Sequence, residues 1–364
     1  MTTLFDPIRL GALCAPNRIL MAPLTRTRGT RGHAATDLMS TYYAQRAGAG
    51  LIISEAIGVS RQGLGWPFAT GLWRDDQVAG WKRVTDAVHT AGGRIIAQLW
   101  HMGRMVHPSF VGGAAPVSSS ATRAPGRAHT YDGREPYALA RPLELAEIPR
   151  VVEDYRRAAA NAMAAGFDGV QIHAANGYLI DQFLRDNANH RDDIYGGPIE
   201  NRMRFLSDVA QAVVGEVGGD RTSVRLSPNG DTQGVNDSNP EPLFVAVAQR
   251  LDDIGIAFLE LREPPRDGTL GTGDRDPLAP AIRGAFHAPL VLNSDLTPEQ
   301  GAALVSSGAA EAISFGRLFI SNPDLPIRIE RGIPLARYDA STFYTQGPEG
   351  YIDYAPARRK ETRA

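Results

Sequence analysis

The feature that most constrains this chain is an alternation. Eight short apolar runs recur along its 364 residues, each followed by a longer stretch with helical periodicity. The runs cover residues 19–24, 51–56, 94–100, 169–173, 223–227, 256–261, 289–293 and 312–316. Residues 76–89 show the helical counterpart, with Val78, Trp81, Val84, Ala87 and Val88 at amphipathic spacing. Residues 153–165, 199–214, 241–251 and 298–306 behave similarly, and Gly92, Gly93, Gly166 and Gly308 stand where such helices stop. Strands that alternate with helices in this way build a parallel sheet. Eight units in about 300 residues fit a closed barrel better than an open doubly wound sheet. The predicted fold is α/β, a single (β/α)8 TIM barrel forming one domain over residues 1–364.

Two connections are unusually long. Residues 101–143, rich in Pro, Gly, Ser, Ala and Arg, predict a lid-like excursion after the third strand. Residues 262–277, after the sixth strand, are long and Gly-rich. Both would hang over the catalytic face. Residues 358–364 are charged and expected to fray.

Composition narrows the function classes. A net charge of −2 with dispersed arginines argues against nucleic acid and against a membrane surface. Cys14 is the only cysteine, so a disulfide framework or a cysteine-based zinc site is not expected, and no paired-carboxylate or His cluster favours another metal. The first residues lack the charge and apolar core of a signal peptide, and no run approaches membrane-spanning length. The expected location is cytoplasmic.

In a parallel barrel the C-terminal ends of the strands converge on the active site. Here they supply Pro23, Leu24 and Thr25; Glu55 and Ala56; Gln98, Trp100 and His101; His173, Asn176 and Tyr178; Arg225; Glu260 and Arg262; Asn293, Ser294 and Asp295; Gly316 and Arg317. His173, Asn176 and Tyr178 fall in the turn between a strand and the start of a helix at residues 179–184. Two hydrogen-bond donors and a phenol there suit holding an oxygen and delivering a proton. The three-residue spacing of His173 and Asn176 would put them on one side of a helical turn, with Gly177 relaxing the path to Tyr178. The loops after strands seven and eight are a recurrent phosphate position, where Arg317 offers a fork and Gly316 a close backbone approach. Arg225 needs an anionic or acceptor partner, and Gln98 suits the edge of an amide-like heterocycle. Together these residues predict a phosphorylated, planar, hydrogen-bonding cofactor.

The run HAANGYLIDQFL from His173 to Leu184, followed by Asn189, Arg191, Asp193, Tyr195, Gly196, Gly197, Glu200, Asn201 and Arg202, closely resembles the Old Yellow Enzyme family. So do MAPLTR from Met21, QLWHMGR from Gln98, and Phe343-Tyr344 before Gly350, Tyr351, Asp353 and Tyr354. Thr25 resembles the branch of that family without a cysteine at this point. The resemblance implies FMN held without a covalent bond and reduced by NADH or NADPH. It assigns FMN contacts to Pro23, Leu24, Thr25, Ala56, Gln98, Arg225, Gly316 and Arg317. Ser294 would add a backbone N–H in a turn where family members often carry glycines. His173 and Asn176 would hold a carbonyl or nitro oxygen, Tyr178 would donate the proton, and Trp100 and Tyr344 would line the substrate pocket. The implied reaction is reduction of an activated alkene: hydride to the β-carbon, stabilisation of the growing oxygen charge, protonation of the α-carbon from the other face. Choice among alkenes is expected to reside in the 101–143 lid, in a monomer or homodimer.

Alternatives remain open at this stage. The same scaffold suits reduction of nitrate esters or nitro compounds, or a flavin-binding protein with an isomerase or sensing role. Residue by residue, His173 also reads as a core histidine, Asn176 as a helix cap, Tyr178 as a half-buried aromatic, Tyr344 as core packing, Arg317 as a surface residue and Arg225 as a structural partner of Glu260.

Overall fold

The computed structural model describes residues 1–268 and 271–357. Eight strands close into a barrel: β1 (Ile19–Met21), β2 (Ile52–Gly58), β3 (Ile95–Trp100), β4 (Val170–His173), β5 (Thr222–Leu226), β6 (Phe258–Arg262), β7 (Leu290–Asn293) and β8 (Ala312–Phe315). Each is parallel to its neighbours, and β8 pairs with β1 to seal the ring. A helix follows every strand: α1 (Asp37–Ala44), α2 (Asp75–Thr90), α3 (Ile148–Ala164), α4 (Arg204–Val217), α5 (Pro240–Ile254), α6 (Ala279–Ala285), α7 (Pro298–Ser306) and α8 (Leu325–Arg331). The predicted (β/α)8 barrel is the observed fold.

Local chemistry explains the elements. In β4, Val170 and Ile172 join the apolar layer shared with the helices, while Gln171 turns inward; this is the period-two alternation of a strand. Helix α2 carries Asp75 and Asp76 in its first turn and His89 in its last, matching the helix dipole. Its Trp81 packs against Tyr43 and Phe167. Helix α7 opens with a reciprocal cap, in which Thr297 Oγ1 accepts from Gln300 N at 3.2 Å and Gln300 Oε1 accepts from Thr297 N at 2.9 Å. Gly92, Gly166 and Gly308 follow their helices at φ of 80°, 83° and 77°.

The barrel interior is layered. Leu20, Leu51, Ile53, Ile96, Phe258, Val291 and Ala312 fill the N-terminal end, closed by Ile8, Leu10 and Ala15 of an antiparallel hairpin that precedes β1. Above them Gln98, Gln171, Arg225, Glu260 and Ser314 form a polar layer, buried and linked side chain to side chain. The candidate site lies on that layer.

Several boundaries differ from expectation. The predicted helix over 199–214 is broken at Met203 into Ile199–Arg202 and α4. The first piece is tied to the preceding loop, since Asn201 Nδ2 donates to Gly196 O at 3.1 Å and Arg202 Nε to Gly197 O at 3.1 Å. The first strand ends at Met21, because the chain leaves the sheet there to line the cavity with Ala22 to Thr25. The charged stretch 358–364 lies outside the described residues.

Candidate active site

A cavity of about 970 Å³ opens at the C-terminal end of the barrel. Every residue to which the sequence gave a cofactor or substrate role lines it: Pro23, Leu24, Thr25, Ala56, Gln98, Trp100, His173, Asn176, Tyr178, Arg225, Ser294, Gly316, Arg317 and Tyr344; the strand-end residues Glu55, His101 and Glu260 do not. Tyr344 is 52% exposed, so it is a rim residue and not core packing. Trp66, Arg262, Asn293, Asp295 and Phe343 line the cavity too. None of these five received a role from the sequence. Trp66 carried a usable signal, a large aromatic in the glycine-rich segment after β2. Phe343 and Tyr344 are held in place from below: Arg26 Nε donates to Phe343 O at 3.1 Å, and Arg28 Nη2 to Thr345 Oγ1 at 2.9 Å.

The turn after β4 is not helical, which corrects the spacing argument for His173 and Asn176. Asn176 and Gly177 are both left-handed, at φ of 59° and 77°, and the helix Leu179–Leu184 begins only after Tyr178. Two consecutive left-handed residues swing the chain back, so Tyr178 returns to the cavity that Asn176 lines. Gly177 has room for nothing larger: a Cβ there would meet Thr232 O at 2.7 Å. Hydrogen bonds fix the turn, from Asn176 N to Ser227 Oγ at 2.8 Å, Gly177 N to Asp181 Oδ2 at 2.9 Å and Gln182 Nε2 to Gly177 O at 2.7 Å. Asn176 does not cap the helix; its Oδ1 accepts from Arg262 Nη1 at 3.3 Å.

The electrostatics set two protonation states. His173 is 4% exposed, and burial, with Arg225 and Arg262 nearby, holds its imidazolium well below the usual range. The ring is neutral, and Ala175 N donates to its Nδ1 at 3.4 Å, which leaves the ring hydrogen on Nε2. Burial pushes the Tyr178 phenol up, opposed in part by Gln233. The rings of His173 and Trp100 each stand edge-on to Tyr178, with centroids 5.0 Å away. The site therefore presents a neutral imidazole and a protonated phenol at neutral pH.

The polar layer beneath orients the floor. Gln98 Nε2 donates to Gln171 Oε1 at 2.8 Å, and Gln171 Nε2 to Glu260 Oε2 at 3.0 Å. Arg225 pairs with Glu260 at 2.6 Å and donates from Nη2 to Asn293 Oδ1 at 2.7 Å. The structural pairing and the exposure of Arg225 to the cavity are thus both real. A shift of register between Ile53 and Ala56 in β2 leaves Ser54 Oγ to accept from Gln98 N at 3.0 Å and puts Ala56 on the cavity.

The far end differs. Ser294 sits at φ 126°, a backbone that glycine adopts without strain and serine does not, and Asp295 at φ 45°, a left-handed conformation that aspartate tolerates. Arg317 Nη2 donates to Asp295 Oδ1, and its Nη1 donates to the Tyr338 hydroxyl at 3.2 Å.

The excursion of residues 101–143 packs on residues that line the cavity, Trp66, Trp100 and Tyr178. It contains a hairpin, Arg127–Thr130 with Gly133–Pro136, and none of its residues lines the cavity. Met102, Met105, Phe110 and Tyr137 share one apolar cluster with Trp100 and Tyr178, and His129 stacks on Trp66 at 4.6 Å. Trp66, Phe343 and Tyr344 line the cavity beside it.

These features define a class: a parallel α/β barrel whose mouth gathers Gln98, Arg225, His173, Asn176, Tyr178 and Arg317 around one cavity. The model of the NADH:flavin oxidoreductase / NADH oxidase family matches residues 3–336. An old yellow enzyme homologue from Zymomonas mobilis superposes with a TM-score of 0.96 at 58% identity, covering 97% of this chain and 99% of that one. Morphinone reductase in complex with tetrahydroNAD superposes at 0.94 with 41% identity over all of both chains. The chanoclavine-I aldehyde reductase fgaOx3 of Penicillium roqueforti is 42% identical over 98% of this chain and 96% of its own. The chain belongs to the Old Yellow Enzyme family and is an NADH:flavin oxidoreductase of that type. Its residues fit a flavin. Arg225 and Trp100 line the cavity, and their buried Nε and Nε1 have no hydrogen-bond partner among the described residues. Gly316 presents bare backbone to the cavity, where a Cβ would come within 3.3 Å of Leu24.

Proposed function

We propose that this enzyme reduces the C=C bond of activated alkenes: α,β-unsaturated carbonyls, maleimides and nitroalkenes. The observation that carries the reading is the convergence of a neutral His173, Asn176 and a protonated Tyr178 on one cavity. FMN, held without a covalent bond and reduced by NADH or NADPH, supplies the hydride when bound. Pro23, Leu24, Thr25, Ala56, Gln98 and Arg225 would hold its ring, and Ser294, Gly316 and Arg317 its phosphate. His173 Nε2–H and the Asn176 amide take the substrate oxygen and stabilise the charge that grows on it. Because His173 is already neutral, it acts as a donor and surrenders no proton. Tyr178 gives its proton to the α-carbon and recovers one from solvent. Trp100 and Tyr344 wall the pocket in which the alkene lies.

The test is an anaerobic titration. The purified protein is expected to be yellow, to bleach with NADH or NADPH, and to regain its colour with 2-cyclohexenone or a maleimide. A colourless protein that takes up no FMN overturns the flavin assignment. A bleached protein that only nitrate esters or nitro compounds reoxidise replaces ene-reduction by heteroatom reduction. Bleached protein that none of these acceptors reoxidises points to a binding or isomerase role.

A further inference from the structure

The mechanism above leaves unused a cation in its own site. Arg262 ends β6 and lines the same cavity as Asn176 and Tyr178. Its Nη1 lies 3.3 Å from Asn176 Oδ1 and 3.4 Å from Thr232 Oγ1. A guanidinium only donates, so the amide atom turned toward it must be the oxygen. The Asn176 NH2 is then the end left for the substrate. The left-handed backbone and the bond to Ser227 Oγ fix where Asn176 sits, yet neither selects which end of its amide faces the cavity. A flipped amide would set an acceptor against the substrate oxygen and undo half of the clamp. We propose that Arg262 is a positioning residue that holds the Asn176 amide with its NH2 directed at the substrate oxygen. The inference rests on the reading of Asn176 as an oxygen-holding residue.

The surroundings are consistent with that task. Burial and the neighbouring Arg225 and Arg317 guanidiniums pull Arg262 down to about 10, with Tyr178 acting the other way, and it stays charged at neutral pH. Thr232 lies in the loop after β5 that Arg104 pins by donating to Gln233 O and Gly234 O, each at 3.0 Å.

The experiment is a double-mutant cycle on the flavin-loaded protein, with Arg262→Met, Arg262→Lys, Asn176→Ala and the Arg262→Met/Asn176→Ala pair. Two quantities are read: the dissociation constant of a phenol, from its perturbation of the flavin spectrum, and the single-turnover rate of reoxidation by 2-cyclohexenone. Arg262→Met is expected to weaken phenol binding and slow reoxidation about tenfold, the scale of one charge-assisted hydrogen bond. Arg262→Lys recovers most of that loss. In the Asn176→Ala background, Arg262→Met costs less than about twofold, because the interaction it served is gone. A full tenfold loss in that background, or none in the wild-type background, overturns the proposal. Melting temperature and flavin content identify a misfolded variant, in which case the Lys and Ala arms still decide. If wild-type enzyme is not reoxidised by any alkene, the ene-reductase reading fails on its own, while the phenol cycle still reads Arg262 through Asn176.

Discussion

The two ends of the cavity are built on opposite plans. At the clamp end His173, Asn176 and Tyr178 are locked by a left-handed turn, by main-chain hydrogen bonds and by the aromatic and methionine cluster behind them. Gln98 and Arg225 beneath are likewise held by Gln171, Glu260 and Asn293. At the other end Arg317 is engaged by a carboxylate of its own chain on a turn of two non-glycine residues at positive φ. The clamp is preorganised for charge that develops during reaction, as electrostatic stabilisation requires. If Arg317 takes the FMN phosphate as proposed, that end would have to exchange the Asp295 carboxylate for the phosphate.

Removing Arg225 should break the first plan most severely. Arg225→Leu leaves Glu260 buried without its cation, and loss of one partner of a buried pair costs about 3–5 kcal/mol. Denaturant unfolding of the flavin-free protein checks this; a loss below about 1 kcal/mol would mean that the polar layer is not held by this pair. Asp295→Asn sharpens the second plan with a smaller effect. It should tighten FMN by about two- to fivefold, the worth of a partly exposed ion pair, and leave riboflavin binding unchanged. Weaker FMN binding would mean that Asp295 helps to build the phosphate site instead of competing for it.

Much of this contrast was legible in the sequence, for physical reasons. Buried parallel strands read as apolar runs, so all eight appeared, and the barrel rule turned their C-terminal ends into a site. That rule brought Gln98, Arg225 and His173 together although they lie far apart in the chain. Helices α1, α6 and α8 were missed because eight or seven residues give too few turns for periodicity to show. The turn at Asn176 was misread as helical because spacing says nothing about the sign of φ. For the 101–143 excursion, length and Pro-Gly content report a loop, not the face against which it packs. The barrel rule placed Arg262 at the catalytic face but gave it no role, Trp66 and Phe343 entered the site through tertiary contacts, and the turn that brings Asp295 to Arg317 depends on the φ of 126° at Ser294, which spacing does not reveal.

The central claim is that Tyr178 donates a proton in one half of the cycle and does nothing in the other. Stopped-flow measurement of Tyr178→Phe, anaerobically and one half-reaction at a time, tests it most directly. Bleaching by NADH or NADPH should stay within about threefold of wild type, while reoxidation by 2-cyclohexenone falls about a hundredfold or more, the range for loss of a general acid. Equal losses in both half-reactions, or no loss in the second, would contradict the account.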